Sequence, residues 1–418
     1  MTRDIVLTGD TVLTKQFCSS SRLNLRQLGD TLSTGDVTVT HLESVPEGEA
    51  NESYPAHRSL GGIHTAPDDI GRRLADVGID VATLAGEHVL DHTYSGLFAA
   101  WRSLDAADVA HAGTGWDLAD ARSPTTVETS DGDVAVISAA ATFHEHAIAG
   151  KTRGGTRRPG VCPLRHRTIV DDDHWEQVKR EVQRDGYHGV VRNGDELLVN
   201  RPGTSLPVEQ YVHDPRRATD GWTTETLPAD RRELRERVTR AATDAETVVV
   251  YVHSHEYAHG GPFDEPPAFV RSFVETVARA GADIVVVQGS QALRGVDRVE
   301  DAVVFYGLGR LVRTRPGRPR LRQEESLLGS GDDLSPLDEG FAVARNRNTA
   351  IIPTCSVGDD GVESTMLDVV KRDDEGAPRL AADEKRRETL RTVDDRSSRF
   401  ETSLCVELDN GKVVSTDE

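Results

Sequence analysis

Asp4-Ile5-Val6-Leu7-Thr8-Gly9-Asp10 sets the reading of this chain: a short apolar run, then a glycine and an acid. A run this brief, bounded by turn formers, reads as a buried strand that stops at Gly9-Asp10. Working outward, Val37 to Leu42 (VTVTHL) alternates as a second strand. Pro67 to Val77 reads as a helix, with Asp68 and Asp69 in its first turn and Gly78 after its end. Val81 to Leu84 is the next strand, His92 to Leu104 the next helix, and Val134 to Ala140 a further strand. Strands alternating with helices predict a layered α/β domain.

Beyond Thr142 the pattern weakens as far as about Arg240. Asp171 to Val182 reads as a helix, Asn193 to Asn200 as a hairpin arm, and Leu227 to Thr243 as a charged helix with Pro228 near its start. Thr247 to Val252 (TVVVYV) is a strand leading into His253. Helix Pro267 to Ala280 and strands Asp283 to Val287 and Ala302 to Tyr306 follow. Thr314 to Asp338 is loop-like, rich first in Arg, Pro and Gly and then in acid. A strand at Thr349 to Ile352, a helix around Ala382 to Val393 and a strand pair near Cys405 to Val414 close the chain.

The 418 residues carry 70 acidic and 49 basic side chains, a formal net charge of −21. That balance argues against duplex nucleic acid as a partner, because phosphate binding needs a basic face. Only six of the 49 basic residues are Lys. Carboxylate excess with scarce Lys fits a surface kept hydrated in high salt; a GC-rich genome explains the Arg bias but not the acids. No apolar run approaches the about 18 residues that span a bilayer. Met1-Thr2-Arg3-Asp4 passes straight into a strand rather than a signal peptide's layout, so the expected setting is the cytoplasm. Cys18, Cys162, Cys355 and Cys405 show no CxxC spacing and predict neither a disulfide framework nor a zinc ribbon.

Residues able to bind metal recur just past the ends of apolar strands: Asp10, His41 with Glu43, Glu87 with His88 and Asp91, and His253 with His255. In open α/β sheets that edge is where ligands bind. Carboxylates and imidazoles delivered there by separate strands are how a divalent or dinuclear metal centre is assembled. A competing motif, His255-Glu256-Tyr257-Ala258-His259, matches HExxH, the helix of zinc proteases. That chemistry needs several helical turns, and a strand before the motif with Gly260-Gly261-Pro262 after it leaves no room for them. Gly307-Leu308-Gly309 lacks the third glycine of a dinucleotide fingerprint, and neither a P-loop nor a GxSxG elbow is present.

The order of motifs resembles the CapA family, the poly-γ-glutamate capsule-synthesis proteins related to calcineurin-like metallophosphatases. Gly9-Asp10 is similar to its opening Gly-Asp, and His41-Leu42-Glu43 stands where it has Asn-Leu-Glu. Ala85-Gly86-Glu87-His88, then Asp91 and Gly96-Leu97, resembles its Ala-Asn-Asn-His-x-x-Asp segment. Arg158-Pro159-Gly160-Val161-Cys162-Pro163-Leu164-Arg165, His253-Ser254-His255-Glu256-Tyr257 and Tyr306-Gly307-Leu308-Gly309-Arg310 resemble its Arg-Pro-Gly, His-Trp-Gly-x-Glu-Tyr and Tyr-Ser-Leu-Gly-Asn stretches. Ser397 to Thr402 echoes its Ser-x-x-Phe-Gly-Thr ending.

The resemblance implies a metallophosphatase-like β-sheet sandwich flanked by helices. It implies one domain over residues 1–313 with an irregular insert near 144–240, a mobile loop at 314–345, and a C-terminal extension, 346–418, packed on that domain. Asp10, Glu43, Glu87 and His253, with His255, are the expected ligands of one or two divalent ions. His88 is the expected general acid, oriented by Asp91. His41, Arg158 and Arg165 are expected to hold an anionic small molecule or polymer. Two departures cut against this. Gly289 and Gln291 replace the family's late histidine pair, and Glu87 replaces an asparagine ligand. Fewer imidazoles favour Mn²⁺, Mg²⁺ or Ca²⁺ over Zn²⁺. As the alternative, they admit a metal-free, catalytically inert binding or scaffold protein.

Overall fold

The computed structural model describes residues 2–15, 18, 28–49, 63–186, 188–200, 209–218, 221–258, 261–313, 348–373, 376–400, 402 and 404–415. Four parallel strands run side by side: β1 (Arg3–Val12), β2 (Val37–Leu42), β3 (Val81–Thr83) and β4 (Ala110–Ala112). Helices α1 (Ile70–Ala75) and α2 (Thr93–Asp105) cover one face, burying Ile70, Leu74, Leu97 and Leu104 with Val6 and Leu84. α1 is shorter than its sequence suggests. Pro67 to Asp69 form a turn rather than a first helical turn, and the chain reverses at Gly78, with φ of +84°.

A second sheet has four parallel strands at its centre: β5 (Val134–Ala140), β6 (Thr247–Ser254), β7 (Ile284–Gly289) and β8 (Ala302–Phe305). Helices α3 (Pro228–Asp244) and α4 (Ala268–Ala278) cover its outer face through Leu234, Val238, Phe269 and Phe273. Between the sheets, Leu7, Val37, Val39 and Val81 meet Val134, Val249, Tyr251, Ile284 and Phe305 in one continuous core. The result is a helix–sheet–sheet–helix sandwich.

The later strands complete the first sheet. β9 (Arg310–Arg313) runs parallel to β1 from Asp10, while β10 (Thr349–Gly358) pairs antiparallel with Arg3 to Val6 of the same edge. β11 (Gly361–Arg372) follows β10 in a hairpin, and β12 (Leu404–Val406) and β13 (Lys412–Ser415) extend the sheet outward. β11 and β9 are strands that the sequence reading did not assign. The expected loop at 314–345 lies outside the described residues.

The described residues of the stretch expected to be irregular include regular secondary structure. Strands His188–Arg192, Glu196–Asn200, Glu209–His213, His166–Val170 and Trp222–Thr226 form a five-stranded sheet in that spatial order. Helix Asp172–Arg184 packs on it over a small core of Val170, Trp175, Val178, Val182, Leu197 and Val199. Its strands mix polar and apolar residues without a regular period and bury few of them, so their composition resembles that of loops. Among the described residues no helix is long and apolar enough to cross a membrane, and all four cysteines are free.

Candidate metal centre

Strand periodicity aims the central residues. On β2, Val37 and Val39 point into the core between the sheets, so His41, two further on, shares their face. On β6, Val249 and Tyr251 do the same, and His253 follows them. The two imidazoles therefore meet across the sandwich at its C-terminal edge, with ring centroids 4.5 Å apart. β1 reaches the same edge through an irregularity between Leu7 and Asp10 that resets its register against β2. Gly9 makes this possible: a Cβ there would stand 1.7 Å from the Gly309 carbonyl oxygen on the strand-edge neighbour.

Asp10, His41, Glu43 and His253 are all buried, and one ligand atom from each lies within 4.8 Å of the others. Two further groupings share members with this one: Glu43 with His64 and His88, and Glu87 with His253 and His255. Both oxygens of Asp10, both of Glu43, Nε2 of His41 and Nδ1 of His253 are buried without a hydrogen-bond partner among the described residues. Unpaired polar atoms are costly when removed from water. Carboxylates and imidazoles gathered in this way are a donor set that suits a divalent cation.

Hydrogen bonds around the cluster fix which atoms face it. The Thr83 hydroxyl donates to the Thr40 carbonyl at 3.3 Å, so it accepts from Nδ1–H of His41 at 3.0 Å. Nε2 of His41 is then left as a lone pair aimed at the cluster. Burial, followed by the His253 charge, pushes the His41 pKa down to about 3, which keeps the ring neutral. Glu87 Oε2 lies 2.7 Å from His253 Nε2, and its Oε1 lies 3.2 Å from His255 Nε2. Burial alone would lower the His253 pKa, but the Glu87 charge and hydrogen bond outweigh it and raise the value to about 9.

The acids divide in the opposite sense. Burial and then the neighbouring Glu43 charge push Asp10 up to about 7. Burial would raise Glu43 too, but Arg310, with Nη2 3.6 Å from Glu43 Oε2, leads the charges that pull it down to about 2. His88 Nδ1 sits 2.7 Å from Asp91 Oδ2, across a turn rather than a helix, and its Nε2 sits 3.5 Å from Glu87 Oε1. Asp91 Oδ2 also accepts from the His64 backbone N–H at 3.0 Å, which sets the His64 ring against that of His88, tilted by 47° with centroids 4.3 Å apart.

The structure thus draws together Asp10, His41, Glu43, Glu87, His88, Asp91, His253 and His255. It does not bring in the two arginines. Arg165 is held by Asp230, with Nε to Oδ2 and Nη2 to Oδ1 both at 2.8 Å, and Arg158 is exposed on a two-stranded ribbon. Residues 255–258 are not helical, so the HExxH spacing does not place its residues on a helix face; His259 lies outside the described residues. Sequence reasoning missed His64 and Arg310. Arg310 was legible only as the last residue of Tyr306-Gly307-Leu308-Gly309-Arg310, where the resembling stretch ends in asparagine.

Residues 4–315 match the family described as bacterial capsule synthesis protein PGA_cap. The chain belongs to that family. Its fold is accordingly metallophosphatase-like, a mixed α/β architecture without a closed barrel. Among curated proteins, the chain is similar to two uncharacterized Sinorhizobium fredii proteins, y4sH and y4uA, each 26% identical over 309 residues. The match covers 73% of this chain and 65% of each relative, so it spans just under two thirds of their length. Among solved structures the chain is similar to GAP50, the anchor in the inner membrane complex of Plasmodium. That match is 10% identical, covers 91% of this chain and 90% of the other, and has a TM-score of 0.33, too low to carry an argument.

Proposed function

We propose that this PGA_cap member is a metal-dependent hydrolase or transferase acting at a phosphoester-like bond of an anionic substrate in capsule or related polymer synthesis. The observation that carries this reading is the set of unpartnered, buried carboxylate oxygens of Asp10 and Glu43 beside His41 Nε2 and His253 Nδ1. These four residues would hold a divalent ion, which when bound lowers the pKa of a water and neutralises charge on the reacting group.

The remaining residues have their own tasks. Glu87 holds Nε2–H of His253 and so points Nδ1 inward, as carboxylates do behind histidine ligands. His255, its side chain a third exposed, caps the other Glu87 oxygen at the mouth of the cluster. His88 is placed to give a proton to a leaving oxygen, and Asp91 keeps its ring in position. Loss of the two late histidines led to an expectation of a hard, oxygen-bound ion. His41, His64 and His255 put imidazoles back, and Mn²⁺ accepts such a mixed set better than Mg²⁺ or Ca²⁺.

The inert-scaffold reading keeps one observation in its favour. At position 289 a glycine with φ of +104° offers no donor, and a Cβ there would stand 2.9 Å from His255 Cδ2. We further propose that the acidic surface is an adaptation to salt, on the charge of −21. Metal analysis of protein purified in molar KCl, followed by phosphodiester assays of wild type and Asp10→Ala, tests the enzyme reading. Bound Mn²⁺ with hydrolysis that Asp10→Ala abolishes is expected. A wild type that neither binds metal nor hydrolyses any phosphodiester would favour the scaffold.

A further inference from the structure

We propose that Arg310 is a built-in cation of this centre, standing where a second metal ion would stand, and that it grips a phosphoryl oxyanion beside a single bound ion. The inference rests on the metal-centre reading above and deepens it.

β9 lies parallel to β1 with Arg310 directly opposite Asp10. Its side chain is 11% exposed, and Nη2 reaches only to 3.6 Å from Glu43 Oε2. That is close enough for charge attraction but too long for a good hydrogen bond. Its Nε is buried without a partner among the described residues. A guanidinium carries five N–H donors in a planar fork and cannot shed its charge. Donors left unmade in a buried site are costly unless a ligand supplies acceptors, and two adjacent donors of the fork match two oxygens of a phosphoryl group.

The same placement opposes a second cation. A divalent ion sharing Glu43 would face the fixed positive charge of Arg310 in a low-dielectric pocket. The positions that resemble the family's late ligands hold Gly289 and Gln291, and Gly289 has no side chain to offer. Arg310 and one divalent ion would outweigh the two charges of Asp10 and Glu43, leaving the site net positive and the outer donors of Arg310 for an anionic substrate. The ligand chemistry is a tetrahedral phosphoryl oxyanion, whether free or esterified.

Calorimetric titration of the folded, full-length chain tests this, with Mn²⁺ first and then phenylphosphonate or dimethyl phosphate at saturating Mn²⁺. Wild type should take up one Mn²⁺ per chain. Arg310→Gln should bind Mn²⁺ about tenfold more tightly, because a repelling charge is gone, and phenylphosphonate about tenfold more weakly. Arg310→Lys should keep the wild-type Mn²⁺ affinity and recover part of the phosphonate affinity. Tighter wild-type binding of phenylphosphonate than of dimethyl phosphate indicates a free or terminal phosphoryl group; the reverse indicates a diester; either supports the inference where it depends on Arg310. Two Mn²⁺ per wild-type chain, or phosphonate affinity indifferent to Arg310, overturns it. So does a parallel loss of both affinities in the Gln and Lys variants, which would make Arg310 a packing residue. A wild type that takes up no Mn²⁺ overturns the metal-centre reading itself, and this inference with it.

Discussion

Removing metal and raising the pH should destabilise this protein, and His253 sets the size of the effect. Burial opposes the charged ring, but Glu87 outweighs it and lifts the pKa from 6.5 to about 9. A group that binds its proton more tightly when folded stabilises the fold for as long as the folded state holds that proton, fully below the unfolded pKa and not at all above the folded one. For His253 the contribution is complete below pH 6.5 and vanishes as the pH passes about 9. The gap corresponds to about 3 kcal/mol. Asp10 acts in the same direction at lower pH: raised from 3.8 to about 7 by burial and then Glu43, it loses its contribution as the pH climbs through 7. Glu87 has the opposite sign. Burial would raise it, but His255 and His253 hold it well below 4.5, so its contribution disappears only in acid.

Urea denaturation in EDTA at constant KCl should therefore show stability falling by about 3 kcal/mol between pH 6.5 and 9.5. His253→Gln should flatten that slope, and Asp10→Asn should flatten the part near pH 7. Metal affinity should move the other way. Mn²⁺ displaces the protons held on Asp10 and His253, so its binding should strengthen over the same interval. Apo stability that is level or rising from pH 6.5 to 9.5, or an unchanged slope in His253→Gln, would refute the reasoning.

Other substitutions probe the frame. Asp230 is fully buried and holds both Arg122 and Arg165, so Asp230→Ala should cost about 3–5 kcal/mol in denaturant melts, while Arg165→Ala, at a partly exposed position, should cost much less. Gly9→Ala would drive a Cβ into the Gly309 carbonyl; a loss of at least about 3 kcal/mol together with weakened Mn²⁺ binding is expected. With a net charge of −21, thermal stability should rise between 0.15 and 2 M KCl, and a melting temperature indifferent to salt would count against adaptation to brine.

Much of this fold is legible because its central strands are buried on both faces and read as apolar runs or, in VTVTHL, as an alternation of valine and threonine. DIVLT, VTVTHL, TVVVYV and DIVVV each announce a strand, and the polar residue that ends each run announces the edge where ligands gather. The missed parts depend on partners distant in sequence. β9 is a strand because β1 offers it an open half-edge, which nothing in its four residues reveals. His64 follows no apolar run; it enters the cluster through the Val45–Thr65 bridge and the reach of Asp91 to its backbone. Arg165 looked free to hold an anion because its partner, Asp230, lies 65 residues further on in a helix that reads as merely charged.

The departures from the family pattern are coupled in space rather than scattered. A histidine at residue 289 is strained and crowded while His255 is in place: φ of +104° disfavours a side chain, and a Cβ would meet His255 Cδ2 at 2.9 Å, the Ser254 backbone nitrogen at 3.0 Å and His253 Cε1 at 3.1 Å. His255 occupies that volume from the neighbouring strand and closes on Glu87 instead. Gly86 belongs to the same exchange: a Cβ there would stand 3.3 Å from Nε2 of His41, so the small residue leaves room for the imidazole that replaced an asparagine. Positions 289 and 86 thus each have an imidazole in or beside their space. A site decaying without function would lose donors independently, whereas compensating pairs such as 289 with 255 and 86 with 41 are what continued demand for a ligand shell produces. Double-mutant cycles in Mn²⁺ affinity expose the difference. His255→Ala combined with Gly289→His should couple positively, with a better affinity than the sum of the single losses, and simple additivity would remove the argument for a maintained site.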